Sequence, residues 1–346
     1  MVLTRDDVAS LQDDNPKLDR LVARHEAWWH LKDTDRPLLT IGRYPGLQPH
    51  PSGRTYYITL DTLPKVEDSI ASLEMYFADH GVISGDIFRA VAPTGFPPMA
   101  EAIMGCACKV DAATNTYWLE ALPGGWEQAK AITHETGREW VDEYLQHTRR
   151  LAEWADGRYP MSVSNIRGIV DTFAAMLGHQ RMVEVMLDEP DEVKRVLNVC
   201  TDNLIALTTA YSDALPKWRG GHFTSGLFVP GSAVFFNVDA GCFFSSEMYD
   251  EFFLPCDRRL CEASEYALTH THSVSHHHWD NWLTIPNLRM QTVVDPVGPT
   301  FDELLPGMRR IQAQRSFLIR PTDEYVYDSL TRLSPRGLYV DVYYPW

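Results

Sequence analysis

Short apolar runs alternate along this chain with stretches in which apolar residues recur every three to four positions. The first pattern marks strands and the second amphipathic helices, because side chains alternate faces along a strand and return to one helix face every roughly 3.6 residues. The opening stretch to Lys32 has the helical period, with Leu18, Leu21, Val22 and Trp29 on one stripe. Residues 37–42 form the first strand candidate and present Arg43 and Tyr44 at its exit. Further strands are predicted at 161–166, 220–225, 233–239, 266–270, 290–295, 316–320 and 337–343. Helices fall between them: one from Asp171, one over 191–211, and others at 246–253, 279–283, 304–314 and 324–333. Over 191–211 the residues Val193, Val196, Leu197, Cys200, Leu204, Leu207 and Tyr211 share one face. Ser246 is the N-cap of the next helix, with Glu247 in its first turn.

This strand–helix rhythm predicts parallel βα units rather than a sandwich or a bundle. Roughly eight strands point to an α/β chain folded as a (β/α)8 TIM barrel with an N-terminal helical extension. The 346 residues form a single barrel domain, 1–346. Within it, 1–36 is the helical extension and 45–135 an irregular, Pro- and Gly-rich insertion over the barrel mouth. Length alone also allows two domains, but no linker divides the chain. No helix candidate follows the last strand, so the N-terminal helix is expected to cover that gap unless the chain is truncated.

Charge narrows the partners. The chain carries 47 acidic against 31 basic residues, a net −16, with no basic stripe, so nucleic acid is excluded as a partner. A polar N-terminus and the absence of any run of 18 apolar residues predict neither a signal peptide nor a membrane span. Six cysteines are too sparse for a disulfide scaffold, which makes the cytoplasm the expected compartment. The expected partner is a small-molecule substrate, and a homodimer is the expected assembly.

The richest stretch chemically is His270-Thr-His272 followed by His276, His277 and His278. Two residues apart on a strand, His270 and His272 point to one face at its exit, and Asp295 ends the next strand. Such a set can hold zinc or another divalent metal. A metal-free pair of hydrogen-bonded, substrate-binding histidines fits the spacing equally. Of the triplet, at most one ring faces the site, and His277 is the candidate; surface capping is the alternative. Arg43 can clamp a carboxylate or phosphate, or sit in an ion pair. Asp239 can act as acid, base or orienting group, or cap a loop. His222 is a catalytic candidate or a satisfied core histidine. An aromatic patch of Tyr117, Trp118 and Trp126 offers Trp118 for substrate contact. Cys106-Ala-Cys108 lacks a second pair and is read as buried thiols. There is no phosphate loop, nucleophile elbow, dinucleotide fingerprint or HExxH motif.

Three passages carry a resemblance: Leu187-Asp-Glu-Pro-Asp-Glu-Val-Lys-Arg-Val-Leu, Phe243-Phe-Ser-Ser-Glu-Met-Tyr-Asp-Glu-Phe-Phe-Leu-Pro255 and Thr269-His-Thr-His-Ser273. Together with Trp282-Leu-Thr-Ile-Pro-Asn-Leu, Asp295-Pro-Val-Gly-Pro and the opening His25-Glu-Ala-Trp-Trp-His, the chain resembles the uroporphyrinogen decarboxylase superfamily. That group includes corrinoid- and thiol-dependent methyltransferases and is similar to cobalamin-independent methionine synthase. The resemblance implies a (β/α)8 barrel with its site at the C-terminal ends of the strands. It implies a zinc site in which His270-x-His272 stands where the methyltransferases have His-x-Cys, with Asp295 as the acidic ligand. The family's last cysteine would fall near Tyr343, where this chain has none. It also implies methyl transfer on a small substrate or a corrinoid carrier, with a corrinoid protein as partner. Decarboxylation of a small carboxylated substrate and a non-catalytic ligand-binding barrel are the alternatives. The single Arg43 is too few for a tetrapyrrole with many carboxylates.

Overall fold

The computed structural model describes residues 16–44, 54–78, 83–111, 113–114 and 116–345, without the side chains of 43–44, 75–78, 83–84 and 343–345. Thirteen strands are described within this range. In chain order they are β1 (Leu38–Tyr44), β2 (Tyr56–Ile58), β3 (Ile83–Gly85), β4 (Ala107–Asp111) and β5 (Thr116–Glu120). Next come β6 (Asn165–Arg167), β7 (His222–Thr224), β8 (Leu227–Val229) and β9 (Ala233–Asn237). The last four are β10 (Tyr266–His272), β11 (Leu288–Val293), β12 (Phe317–Arg320) and β13 (Leu338–Pro345).

Seven of these strands pair in parallel in the order β1–β13–β12–β11–β10–β9–β6, and β3 adds to β1 in antiparallel. Helices connect successive parallel strands, so both sheet faces are covered and Phe317, Leu318 and Ile319 of β12 are all fully buried. The result is a TIM-barrel-like α/β fold. Among the described residues, isolated parallel bridges lie beyond the edges, Val91 to Met161 and Ser162 to Phe223.

Two expectations change here. The strand predicted at 220–225 is not a member of the main sheet and touches it through one parallel bridge, Ser162 to Phe223, where Val163 N donates to Phe223 O at 2.7 Å. It forms the β7–β8 hairpin, whose Ser225-Gly226 turn takes positive φ at both positions, as a tight two-residue hairpin turn requires. The segment 45–135 is also more ordered than its Pro and Gly content suggests. Its described part holds the antiparallel sheet β2–β4–β5 and the helices Val66–Ala78 and Gly125–Lys130. Three-to-five-residue strands are too short to show their alternation, although Cys108 and Val110 are buried beside a less buried Lys109.

The Pro16–Trp29 helix lies across the N-terminal ends of the strands. Its Leu18, Leu21 and Val22 pack with Phe88, Phe223 and Phe228, each worth about 1.5–3 kcal/mol on full burial. Trp29 Nε1 donates to Phe228 O at 2.9 Å, and Arg289 Nη2 donates to Trp29 O at 3.0 Å. His25 is pinned at both nitrogens: Phe228 N donates to Nδ1 and Nε2 donates to Asp86 O, each at 2.8 Å. Burial holds this imidazole down to about 4. Buried Asp86 binds Arg36 through both carboxylate oxygens. This helix therefore covers the N-terminal ends of the strands, and the histidine–aspartate cluster lies at the opposite end. Among the described residues no helix is long and apolar enough to cross a membrane.

Candidate metal centre

Parallel register places side chains from neighbouring strands in rows. His270 of β10 pairs with Asn237 of β9 on one side and Gln291 of β11 on the other, while His272 pairs with Val293, which pairs with Arg320. Asp239, two residues beyond Asn237, continues the same face just past the end of β9. Asp239, His270 and His272 consequently converge, each offering one ligand atom within 4.8 Å of the others. Asp239 Oδ1 lies 3.8 Å from His270 Nε2 and 3.6 Å from His272 Nε2.

These three groups fit a metal. Zinc–ligand bonds near 2.0–2.1 Å in a tetrahedron separate the donors by about 3.3 Å, close to what the side chains already hold. Asp239 Oδ1 is buried with no hydrogen-bond partner, an acceptor with nothing yet to accept. His272 Nδ1–H donates to Asp295 Oδ1 at 2.6 Å, which leaves the Nε2 lone pair aimed at Asp239. Such a carboxylate behind a ligating imidazole fixes its tautomer and ring orientation. Asp295 is itself held, accepting from Ser273 Oγ at 2.9 Å while its own N–H donates back to that oxygen at 2.9 Å. Burial lowers the His270 imidazole from its usual value, partly offset by Asp239, so its neutral, ligating form is favoured. The otherwise unpartnered Gln291 Oε1 adjoins that ring.

Other groups position this centre. Asp171, buried in the first turn of the Ile169–Leu177 helix, accepts from Asp239 N at 3.1 Å and Ala240 N at 2.6 Å. It thereby anchors the loop that carries Asp239. Its carboxyl is pushed up to about 6, by burial first and then by Asp239. Arg320 Nη2 donates to buried Asp341 Oδ2 at 2.6 Å on the far side of the histidines. On the near side, a cavity of about 580 Å³ is lined by Phe96, Tyr117, Asn165, Arg167, Phe235 and Asn237 among others.

The sequence-predicted residues divide accordingly. His270 and His272 come together as expected. Asp239 joins them as third donor, whereas Asp295 stands behind His272. His277 instead donates through Nε2 to Phe244 O at 3.0 Å, with its ring tilted against that of His278. His222 is buried with both ring nitrogens against carbonyl oxygens, Gly231 O at 2.9 Å and Ser212 O at 3.2 Å, which leaves neither for a substrate. Trp118 faces solvent at 63% exposure, and its strand neighbour Tyr117 lines the cavity instead. Arg43, Tyr44 and Tyr343 lie at the C-terminal ends of β1 and β13, with side chains outside the described residues. Cys106 and Cys108 are buried free thiols, as expected. Arg167, Glu101, Asp171 and Arg320 went unread in the sequence. A charged residue closing an apolar strand, as in Phe317-Leu-Ile-Arg320, was the one available signal.

The chain is thus a TIM-barrel-like α/β protein in which two histidines and one aspartate that could hold a metal ion meet at the strand exits. Its fold is similar to that of a methyltransferase from Methanosarcina mazei, with a TM-score of 0.60 and 13% identity over 93% of this chain and 92% of that one. No family model and no curated protein matches the sequence.

Proposed function

We propose that this protein is a metal-assisted methyltransferase of the uroporphyrinogen-decarboxylase-like kind, acting on a small substrate or a corrinoid carrier. The observation that carries the reading is the orphaned Asp239 Oδ1 facing two imidazole Nε2 atoms, one of them oriented by Asp295. The fold of the M. mazei methyltransferase supports it, as does the resemblance of the His270–Asp295 region to corrinoid-dependent methyltransferases. The same reading takes the segment around Val91 as the strand that completes a (β/α)8 ring.

His270, His272 and Asp239 would hold a divalent ion, zinc being the proposed one, with further positions open to the substrate. A bound ion supplies Lewis acidity, lowering the pKa of the methyl acceptor and stabilising its anion. Asp295 keeps the His272 lone pair directed inward, and Asp171 keeps Asp239 in place. The cavity beside Asn237 accommodates the body of a small molecule.

Metal analysis of the purified protein, with and without His270→Ala, tests the proposal. One divalent ion per chain, lost in the variant, is expected. Protein that takes up no zinc, cobalt, iron or manganese, or a variant that binds them unchanged, overturns it. A second reading, a carboxy-lyase of a small acidic substrate, draws on Arg167 beside the cavity and predicts carbon dioxide release from a carboxylated ligand.

A further inference from the structure

Arg167 ends β6 in register with Asn237, one strand removed from His270, and contributes to the cavity wall. Behind it stands Glu101, wholly buried in the short Met99–Ala102 helix, with Oε1 2.9 Å from Arg167 Nε. Among the described residues this carboxylate is the one ion-pair partner of Arg167. A guanidinium presents its donors as a planar fork, and pairing through Nε leaves the two terminal nitrogens for a second anion. Neither Glu101 oxygen makes a hydrogen bond of good geometry. Glu101 therefore adjoins one edge of the guanidinium rather than saturating it as a bidentate clamp. Burial pushes its carboxyl up to about 8, against the pull of Arg167, so near neutral pH it offsets little of the guanidinium's positive charge.

The cavity wall is mainly apolar and aromatic, with Ser162, Ser164, Asn165 and Asn237 as polar points beside Arg167. Phe96, Phe235, Met99 and the prolines 93, 97 and 98 line it, and Tyr117 enters from β5. Its volume of about 580 Å³ lies within the roughly 300–1,000 Å³ of small-molecule sites. Asn165 Nδ2 donates to Asn237 Oδ1 at 2.5 Å, which ties the cavity wall to the strand that leads to Asp239.

We infer that the site takes an aryl or similarly apolar carboxylate, whose carboxylate docks on the outer edge of Arg167 while its other end reaches Asp239, His270 and His272. This deepens the proposed function and rests on that reading for the reacting end only. The anchor itself needs no metal. An arginine backed by a buried carboxylate is held in one orientation, so little side-chain freedom is lost when an oxyanion binds it. A net charge of −16 disfavours nonspecific anion association with the molecule, so anion binding depends on a locally preset guanidinium.

The experiment uses chelator-stripped protein, so that metal binding, titrated separately, can fail or succeed on its own. Benzoate, phenylacetate, benzamide and phenyl phosphate are titrated by calorimetry against wild type, Arg167→Gln and Arg167→Lys. Expected is saturable binding of an arylcarboxylate, about tenfold or more weaker in Arg167→Gln and for benzamide, as for loss of a charge-assisted hydrogen bond. The Gln variant should fold, since Glu101 can sit protonated without its partner. Should it not, Arg167→Lys, which keeps the charge but loses the fork, must still weaken benzoate. Equal binding of benzoate and benzamide, unchanged affinity in the variants, or no saturation by either carboxylate overturns the inference. Preference for phenyl phosphate overturns the carboxylate assignment.

Discussion

His272 and Asp295 form a 2.6 Å hydrogen bond that turns the imidazole so that its other nitrogen lies 3.6 Å from Asp239. In the proposed metal site Asp295 would therefore orient a ligand rather than be one. Asp295→Ala frees the ring to rotate and to change tautomer, so metal affinity should fall by roughly 10–100-fold. His270→Ala, which removes a donor outright, should do more. Competition with a chromogenic chelator measures both, and an Asp295→Ala affinity equal to wild type would falsify the positioning role.

Tyr117 and Trp118 lie on opposite faces of one strand, and Tyr117 is the one that lines the cavity. Tyr117→Ala should weaken arylcarboxylate binding threefold to tenfold, as for about 1 kcal/mol of aromatic contact. Trp118→Ala should change it less than about twofold, because a solvent-facing side chain contributes little. The reverse ranking in the same titration would place the ligand elsewhere.

Gly168 follows β6, and its N–H donates to Asn237 O at 2.9 Å. A Cβ there would stand 2.5 Å from that carbonyl oxygen and 3.0 Å from the Phe236 ring. Gly168→Ala should cost about 1–3 kcal/mol, as overpacking does, and should weaken metal binding because Asn237 leads directly to Asp239. Urea midpoints together with the chelator competition check both effects. A neutral outcome in each would show that the strand end yields without cost.

Stability should decline on acidification through His25. Its folded value of about 4 lies below the usual 6.5. Between these limits the unfolded chain takes up a proton that the folded chain refuses. Stability is therefore fully present above pH 6.5 and is lost as pH falls toward 4, by about 3 kcal/mol from this group. In His25→Gln that part of the slope should vanish, although the variant starts less stable. Denaturant unfolding at several pH values from 7 to 4.5 decides it; parallel pH profiles for the two proteins would exclude His25 as a source.

The predictions rest on features of unequal legibility. The helical stripe of Leu18, Leu21, Val22 and Trp29 and the apolar runs at 316–320 and 337–343 were readable, because local burial imposes its period directly on sequence. The β7–β8 hairpin reads as a ring strand in sequence, since a run as short as His222-Phe223-Thr224 looks alike whether its partner is parallel or antiparallel. The sheet β2–β4–β5 stayed hidden because strands that short carry too few positions to show alternation.

The sequence by itself determined the alternation of strands and helices beyond residue 160 apart from the β7–β8 hairpin, the barrel-like class, and the common direction of His270 and His272, which follows from a spacing of two on one strand. Only the tertiary structure decided that Asp239 is their third partner, that Asp295 lies behind His272, and that Glu101 backs Arg167. These relationships depend on the register between parallel strands joined by long crossovers. Register is set by how helices and sheet pack as a whole, and no local pattern encodes it.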